Sequence, residues 1–384
     1  MTARVDPLDL VRLLIGFDTT SRGTNLPLID FAQELLEAAG ARCRRTLDPD
    51  RIKANLFATF GPDAPGGIVL SGHTDVVPVD GQEWSSDPFN AEIRGNKMFG
   101  RGTCDMKGFV GVALSLLPEI AGAKLKRPIH FALSYDEEVG CAGVRGLLED
   151  LGAAGIKPAL AIVGEPTEMR VVGAHKAGAV LHTHCHGREG HSSKPHLGAN
   201  AVMMAGEFVH LLESIGDGLR GDTDHRFDPP FTTVQANMIQ GGSAVNILAR
   251  DAVVTWEYRA LPDRDPTLIL DAVRSRAESE ILPKYRANVA DARFETEVHA
   301  TYPGLVMDET SEAVLLARDV TGANQVEAVA YGTEAGHFQR AGISAVICGP
   351  GSIDQAHKAD EFVALPELTK CEDFLRKVIA KAAA

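Results

Sequence analysis

The chain reads IVLSGHTDVVP from Ile68 to Pro78, and this stretch is the clearest indication of its fold. Its first part, residues 68–71, is a short, mostly apolar run of the kind that forms a buried strand. His73 and Asp75 follow directly. Because residues two apart share a face of an extended chain, we expect Asp75 to reach the far ring nitrogen of His73 and fix its tautomer. A surface turn with a structural aspartate is the alternative for this segment alone.

Helices and buried strands alternate on both sides of that stretch. From apolar spacing we expect helices at residues 9–18, 28–39, about 109–120 and about 144–151, and strands at 55–60, 68–71, 129–135 and 160–164. This alternation predicts an α/β domain with a mostly parallel sheet flanked by helices.

The pattern changes near residue 177. Strands at 180–186, 232–239, 252–259 and 293–299 and helices at 199–215 and 267–281 follow in βαββαβ order, which is that of a small ferredoxin-like domain. The α/β pattern then resumes with a helix at 312–320, strands at 327–330 and 345–348, and a closing helix from about 366. We therefore expect a catalytic domain in two parts, 1–176 and 301–384, with a second domain at 177–300 inserted between them.

Composition narrows the classes of partner. The chain has 384 residues and a formal net charge of −14, which disfavours nucleic acid and anionic membrane surfaces and favours a small soluble ligand. The six cysteines include no Cys-x-x-Cys pair, as expected in a reducing compartment, and we see neither a secretory signal nor a membrane span. These features predict a cytoplasmic protein.

Acidic residues follow several of the expected strands. Glu137 and Glu138 follow the strand at 129–135 and Asp136, and three neighbouring acids there repel one another unless cations or hydrogen bonds compensate them, of which a cation is the simpler explanation. One of the two can bind a metal ion while the other accepts a proton from water. Asp105 lies in the glycine-rich turn at 100–108, where it either caps the next helix or bridges two metal ions.

Glu165 ends the strand at 160–164, and His357 follows the strand at 345–348 through a glycine-proline loop. Each alone is readily explained as an ordinary polar residue. With His73, Asp105 and Glu138, however, they lie in or just after loops of an α/β sheet, where such folds place their active sites. Two histidines and three carboxylates suit a pair of zinc-like divalent ions bridged by one carboxylate and one water.

Five ordered motifs resemble the signature series of the M20 metallopeptidase and deacylase family. They are residues 71–78, 100–108, 136–140, 164–167 and 190–195. The resemblance implies two divalent ions, Zn²⁺ or Co²⁺, held by His73, Asp105, Glu138, Glu165 and His357, with Asp105 as the bridging ligand. It also implies that Asp75 supports His73 and that Glu137 is the general base.

The same resemblance implies that the inserted domain mediates dimerisation. His191 would then donate to the oxyanion in the active site of the partner subunit of a homodimer. Arg259 and Asn246 match positions that hold the substrate carboxylate and polar backbone in the family.

The segments 331–338 and 346–357 resemble those of the N-acetylornithine deacetylases of that family. Glu334 is the distinguishing residue, and its carboxylate is expected to pair with the cationic side chain of ornithine. The resemblance implies hydrolysis of N2-acetyl-L-ornithine to ornithine and acetate, in arginine biosynthesis. Other M20 specificities, such as succinyl-diaminopimelate desuccinylase, acetylcitrulline deacetylase or dipeptidase, are the alternatives, together with a non-catalytic binding protein on the same scaffold.

Overall fold

The computed structural model describes residues 6–384, which divide into two compact units. The first unit contains the chain up to Ala174, Leu305–Ala328 and Thr333–Ala384, and the second contains His175–Gly304 and Val329–Gly332. The second unit therefore interrupts the first in sequence.

Seventeen strands occur in the described part of the chain. They are β1 (Arg42–Leu47), β2 (Ala54–Phe60), β3 (Ile68–His73), β4 (Glu92–Arg94), β5 (Lys97–Phe99), β6 (Ile129–Ser134), β7 (Leu160–Pro166), β8 (Val172–His175), β9 (Ala177–His186), β10 (Gly190–His191), β11 (Thr233–Gly241), β12 (Ile247–Leu248), β13 (Asp251–Ala260), β14 (Arg293–Tyr302), β15 (Glu327–Val329), β16 (Ser344–Gly349) and β17 (Phe362–Ala364).

The helices connect and cover these strands. They are α1 (Pro7–Ile15), α2 (Leu26–Ala38), α3 (Lys107–Ser115), α4 (Leu117–Gly122), α5 (Ala142–Ala153), α6 (Ala201–Leu219), α7 (Thr267–Arg276), α8 (Leu282–Arg286), α9 (Glu312–Thr321), α10 (Ala335–Arg340) and α11 (Leu365–Ala383). Among residues 6–384, no helix combines the length and the apolar character that crossing a bilayer requires.

A mixed eight-stranded sheet forms the centre of the first unit. Its strand order is β1-β2-β6-β3-β7-β16-β8-β15, and the four central strands β6, β3, β7 and β16 are parallel neighbours. The strands β2, β3, β6 and β7 are buried almost throughout, as expected for a sheet covered on both faces. The predicted α/β fold is therefore confirmed.

Helix α3 packs closely against this sheet. All of its residues are buried, and a Cβ added to Gly164 of β7 would lie only 2.0 Å from Cγ of Phe109. The single helix expected at 109–120 is two helices, because Pro118 has no backbone N–H and stands at the start of α4 rather than inside a continuous helix.

Two central strands continue further than their apolar residues indicated. Parallel pairing extends β3 as far as His73, which is opposite Ser134, and β7 continues through Glu165 to Pro166. His73 and Glu165 therefore lie within strands, and the sheet itself holds their backbones. The edge strand β1 was missed because its sequence, RCRRTL, is polar and mostly exposed.

The second unit contains a four-stranded antiparallel sheet with the order β11-β13-β9-β14. Helices α6 and α7 lie between its strands in the sequence, so the order of elements is the predicted βαββαβ. A hydrophobic core that includes Phe208 and Trp256 packs the helices against the sheet. The helix expected at 267–281 ends instead at Arg276. A π-helical turn, Ala277–Ile281, follows it and leads into α8, which has Pro283 in its first turn.

Candidate metal centre

The five side chains predicted as metal ligands meet at one edge of the first unit's sheet. His73 ends β3, Glu165 lies near the end of β7, Glu138 follows β6, His357 follows β16, and Asp105 lies just before α3. Because β6, β3, β7 and β16 are parallel, their carboxyl ends meet at the same edge. The fold thus brings together residues that are far apart in the chain.

Asp105 lies between the two histidines. Its Oδ1 is 2.9 Å from Nε2 of His73, and its Oδ2 is 3.2 Å from Nε2 of His357. Nε2 of His357 also lies 3.0 Å from Oε2 of Glu138, and Nε2 of His73 lies 3.6 Å from Oε1 of Glu165. No side chain caps the start of α3, so Asp105 does not serve as that helix's cap. Its two oxygens instead face two separate groups of donor atoms.

The cluster favours added positive charge. Burial and the charge of Asp105 raise the pKa of Glu138 to about 7 and raise the pKa of Glu165 well above its usual value. Burial opposes ionisation of Asp105 too, but hydrogen bonds with His357 and His73 lower its pKa. Hydrogen bonds to Asp105 and Glu138 raise the pKa of His357 to about 11. Protons or divalent cations can supply the charge that these carboxylates need.

The donor atoms suit a divalent metal. One atom each from His73, Glu137 and Glu165 lie within 4.8 Å of one another, and so do one atom each from His73, Asp105 and Glu138. Imidazole nitrogen and carboxylate oxygen are ligands that Zn²⁺ and similar ions prefer. The buried Oε1 of Glu138 has no hydrogen-bond partner within residues 6–384, which leaves it free to bind a cation. The residues present therefore fit metal ions.

Asp75 makes a different contact from the one expected. Nδ1 of His73 lies 2.9 Å from the backbone carbonyl of Asp75 and 3.6 Å from its carboxylate. Since a carbonyl can only accept, Nδ1 is the donor to Asp75, and Nε2, which faces the acceptor oxygen Oδ1 of Asp105, is the nitrogen that would bind a metal in place of its own proton. The Asp75 carboxylate instead accepts the backbone N–H groups of Glu137 and Glu138, at 3.1 and 3.2 Å, and the hydroxyl of Ser21, at 2.8 Å. It therefore holds the loop that follows β6.

Glu137 lies on that loop, among the ligand atoms. The preceding residue, Asp136, has a positive φ of 54°, and its carboxylate pairs with Lys53 at 2.5 Å. Sγ of Cys141 lies 3.4 Å from Oε1 of Glu137 and donates to it. Burial raises the pKa of Glu137 well above its usual value. The loop thus presents a carboxylate with a high proton affinity beside the donor cluster.

Glu334 stands at the start of α10 and is only 1% exposed. Its Oε2 accepts from the hydroxyl of Ser71 at 3.2 Å; no donor in the described part of the chain has good hydrogen-bond geometry toward its Oε1, although the hydroxyl of Ser134 lies near enough to this carboxylate to lower its pKa. Burial raises its pKa to about 7. One oxygen of this carboxylate is therefore available to a cationic partner.

The other predicted site residues belong to the second unit. His191 in β10 is exposed, and its Nδ1 accepts from the backbone N–H of Ser193 at 3.1 Å. Asn246 lies close by, since its carbonyl accepts from the N–H of Ser192 at 3.1 Å. Arg259 in β13 donates to the hydroxyl of Tyr302 at 3.2 Å. Within this unit His191 and Asn246 are neighbours, and Arg259 lies in a different strand.

Two charged residues that we did not single out from the sequence lie beside the cluster. Arg101 and Glu361 form an ion pair with Nη1 2.7 Å from Oε2, and each side chain is 1% exposed. Their positions gave a weak signal: Arg101 lies in the same glycine-rich turn as Asp105, and Glu361 follows His357 by four residues. Nothing in the spacing of 260 residues indicated that they meet.

The sequence profile of peptidase family M20/M25/M40 matches residues 69–381. The chain belongs to this family. The chain is similar to an acetylornithine deacetylase from Myxococcus xanthus. The two are 36% identical over 378 residues, which cover 96% of this chain and 95% of that relative. As an M20 enzyme with deacetylase relatives, it is a metal-dependent amidohydrolase.

Solved M20 structures share the fold. A metallo-carboxypeptidase of the M20 family from Sulfolobus solfataricus superposes with a TM-score of 0.78 at 16% identity and 99% coverage of both chains. A dinuclear metal-binding M20 peptidase from Bacillus subtilis superposes with a TM-score of 0.67 at 16% identity, covering 98% of this chain and 97% of that one. At such identities the similarity establishes the M20 fold and leaves the substrate open.

Proposed function

We propose that this enzyme hydrolyses the amide bond of N2-acetyl-L-ornithine, giving L-ornithine and acetate, as a cytoplasmic step of arginine biosynthesis. The observation that carries the hydrolytic part is the carboxylate of Glu137, which lies within 4.8 Å of ligand atoms of His73 and Glu165. A protein that only binds its ligand needs no such base beside the ligands. The similarity to an acetylornithine deacetylase over almost the whole chain supports the substrate.

The donor cluster would hold two divalent ions, Zn²⁺ or Co²⁺. His73, Glu165 and Oδ1 of Asp105 suit one position, and His357, Glu138 and Oδ2 of Asp105 suit the other, since these are the pairs with the short distances. The similar fold of a dinuclear relative supports this arrangement. When bound, such ions polarise a substrate carbonyl and make water more acidic.

Glu137 would act as general base and then as general acid. Its carboxylate takes a proton from the attacking water and returns it to the nitrogen of the departing amine. Burial, which raises the pKa of Glu137, suits a group that must first gain and then release a proton near neutral pH. Asp75 holds the N–H of Glu137 and Cys141 holds one of its oxygens, so the carboxylate is oriented before substrate arrives.

Three side chains would bind the substrate. Oε1 of Glu334 is buried, and among residues 6–384 only the hydroxyl of Ser134 lies near it without good hydrogen-bond geometry, so the ammonium group of ornithine would supply a charged partner. Arg259 would bind the α-carboxylate, for which a guanidinium group offers two parallel donors, and Asn246 would bind polar backbone atoms of the substrate.

We further propose a homodimer, with His191 donating to the oxyanion in the partner's active site. The second unit offers a surface for pairing: β11 is an edge strand, and its Met238 and Ile239 are 56% and 52% exposed. Natural proteins usually cover an edge strand that carries exposed apolar side chains, for example with a second subunit.

Mixing two inactive variants tests this dimer. In a 1:1 mixture of Glu137→Gln and His191→Ala chains, half of the randomly formed dimers combine one chain of each kind. Each such dimer has one site with both Glu137 and His191 intact, so about a quarter of wild-type activity should return. A mixture that stays inactive after subunit exchange has been demonstrated would contradict the shared site.

A panel of N-acyl amino acids tests the substrate. We expect kcat/KM to be highest for N2-acetyl-L-ornithine among its acetylated competitors, including acetylcitrulline and acetylmethionine. N-succinyl-diaminopimelate and a set of dipeptides belong in the same panel, because the M20 fold also carries peptidases. Preference for any of these would replace acetylornithine as the substrate and leave the hydrolytic chemistry in place.

A further inference from the structure

The ion pair between Arg101 and Glu361 connects the segments that carry two of the expected metal ligands. Taking two charges out of water is costly, and a buried pair often contributes little to stability. The burial of this pair, with both side chains 1% exposed, therefore calls for another explanation. Such pairs can instead fix one arrangement of the chain, and the contacts of this pair indicate which arrangement that is.

One carboxylate oxygen of Glu361 accepts hydrogen bonds from the backbone of the turn before α3. Oε1 accepts three backbone N–H groups, those of Gly102 at 3.0 Å, Cys104 at 2.9 Å and Asp105 at 3.1 Å. The turn has little room to rearrange, because a Cβ on Gly102 would lie 2.9 Å from Cγ1 of Val76. The backbone of Asp105 is thus held by a single carboxylate oxygen.

The guanidinium of Arg101 is connected to the loop that carries His357. Its Nη2 donates to Oε1 of Gln82 at 2.6 Å, and Nε2 of Gln82 donates to the carbonyl of His357 at 3.0 Å. Its Nη1 also lies 3.4 Å from the carbonyl of Lys358. One continuous network of hydrogen bonds therefore runs from the backbone of Asp105 through Glu361, Arg101 and Gln82 to the backbone of His357.

The two proposed metal positions depend on this network to different degrees. His73 and Glu165 are held by paired strands of the sheet. His357 lies in a loop, with a positive φ of 64° and a side chain that is 54% exposed. Its Nε2 lies 3.2 Å from Oδ2 of Asp105, so this distance joins the two segments that the network connects.

We propose that Arg101 and Glu361 are positioning residues that keep Asp105 and His357 close enough to share a metal ion. They act on the position formed by His357 and Glu138, and much less on the position formed by His73 and Glu165. This inference rests on the proposed metal-dependent function, because it assumes that both positions bind a cation.

Zinc titration of the metal-free full-length protein, followed by calorimetry and elemental analysis, tests the proposal. In Glu361→Gln we expect one tightly bound ion to keep its affinity within about threefold, while the affinity for the second falls about 10- to 100-fold. Cobalt titration gives a spectroscopic check, since the absorption due to the second equivalent should appear only at higher cobalt concentration. Turnover should fall at limiting zinc and recover at saturating zinc, with little change in KM.

Glu312→Gln is the control, because it removes the same charge from an ion pair with Arg127 whose side chains are 52% and 32% exposed. Gln82→Leu is the second variant, since it cuts the link to His357 and leaves the buried pair intact, although it also removes the acceptor of the Trp84 indole N–H. This variant should lower the affinity for the same second zinc ion. Unchanged zinc affinities in both variants, or an equal loss at both positions with a lowered melting temperature, would overturn the proposal. A wild-type chain that binds two ions but hydrolyses no N-acyl amino acid would remove the proposed function and leave this comparison valid.

Discussion

His130 should make the stability of the first unit depend on pH. It lies in β6, the strand that leads into Glu137, and its ring is 3% exposed and stacks on Phe57 with 4.9 Å between centroids. Nε2 lies 3.3 Å from the carbonyl of Gly66 and Nδ1 lies 2.9 Å from the hydroxyl of Thr59. Because the carbonyl can only accept, Nε2 carries the proton, and the neutral ring already has partners for both nitrogens.

Burial lowers the pKa of His130 from 6.5 to about 4. Between these values the unfolded chain binds a proton at this residue and the folded chain does not. The contribution of the neutral ring is therefore fully present above pH 6.5, is lost as the pH falls, and changes little below pH 4. A difference of about 2.5 pKa units corresponds to about 3 kcal/mol in the free energy of unfolding.

The variant His130→Gln tests this value, because a glutamine amide can donate to Gly66 and accept from Thr59 without titrating. Urea unfolding at several pH values between 7.5 and 4, with both proteins free of metal, should show that the wild type loses about 3 kcal/mol more than the variant. Fluorescence of Trp84 reports on the first unit if both proteins carry Trp256→Phe. His210→Gln, at an exposed histidine on α6, is the control and should behave as wild type. Equal pH dependence in wild type and His130→Gln would refute the reasoning.

Three further outcomes are expected. Glu137→Gln should keep its metal content by elemental analysis but lose about 10²- to 10⁴-fold in kcat, and substantial residual turnover would remove Glu137 from the base role. Glu334→Gln should raise KM for N-acetylornithine far more than for N-acetylmethionine, because only the former has a cationic side chain to pair; equal effects on the two would refute that pairing. Treatment with a chelator should abolish activity and lower the melting temperature, and added Zn²⁺ or Co²⁺ should restore both, because an ion that binds only the folded chain stabilises it. A melting temperature that does not respond to the ions would argue against binding at the buried cluster.

The sequence predicted the site best where side chains that can bind a metal ion follow the ends of predicted strands. His73, Glu165 and His357 could be grouped because each follows a short apolar run, and parallel strands bring their carboxyl ends together. The same reasoning predicted the parallel sheet and the βαββαβ unit, because both depend on the order of elements rather than on their limits. Where a strand ends is set by its neighbours, so the extension of β3 to His73 required knowledge of its pairing with β6.

Contacts made by loops were beyond sequence reasoning. Asp75 was expected to orient His73 through its carboxylate, but the chain leaves β3 after His73, and the backbone carbonyl makes that contact instead. The carboxylate is thereby free to hold the N–H groups of Glu137 and Glu138. Glu361 was missed for a related reason: three of its partners are backbone N–H groups, which carry no signature in the sequence, and its side-chain partner Arg101 lies 260 residues away.

The interruption of the first unit also determines when its sheet can be completed during translation. Strand β16 lies between β7 and β8 in the sheet, yet it follows both of them in the chain and comes after the whole inserted unit. About 180 residues separate the end of β7 from the start of β16, which at bacterial or eukaryotic synthesis rates is about 10 to 35 seconds. During that interval the nascent chain already contains His73, Asp105, Glu138 and Glu165 but not His357. The full set of proposed ligands exists only after His357 has been synthesised, so the proposed position formed by His357 and Glu138 can be completed only after the whole inserted unit has been made.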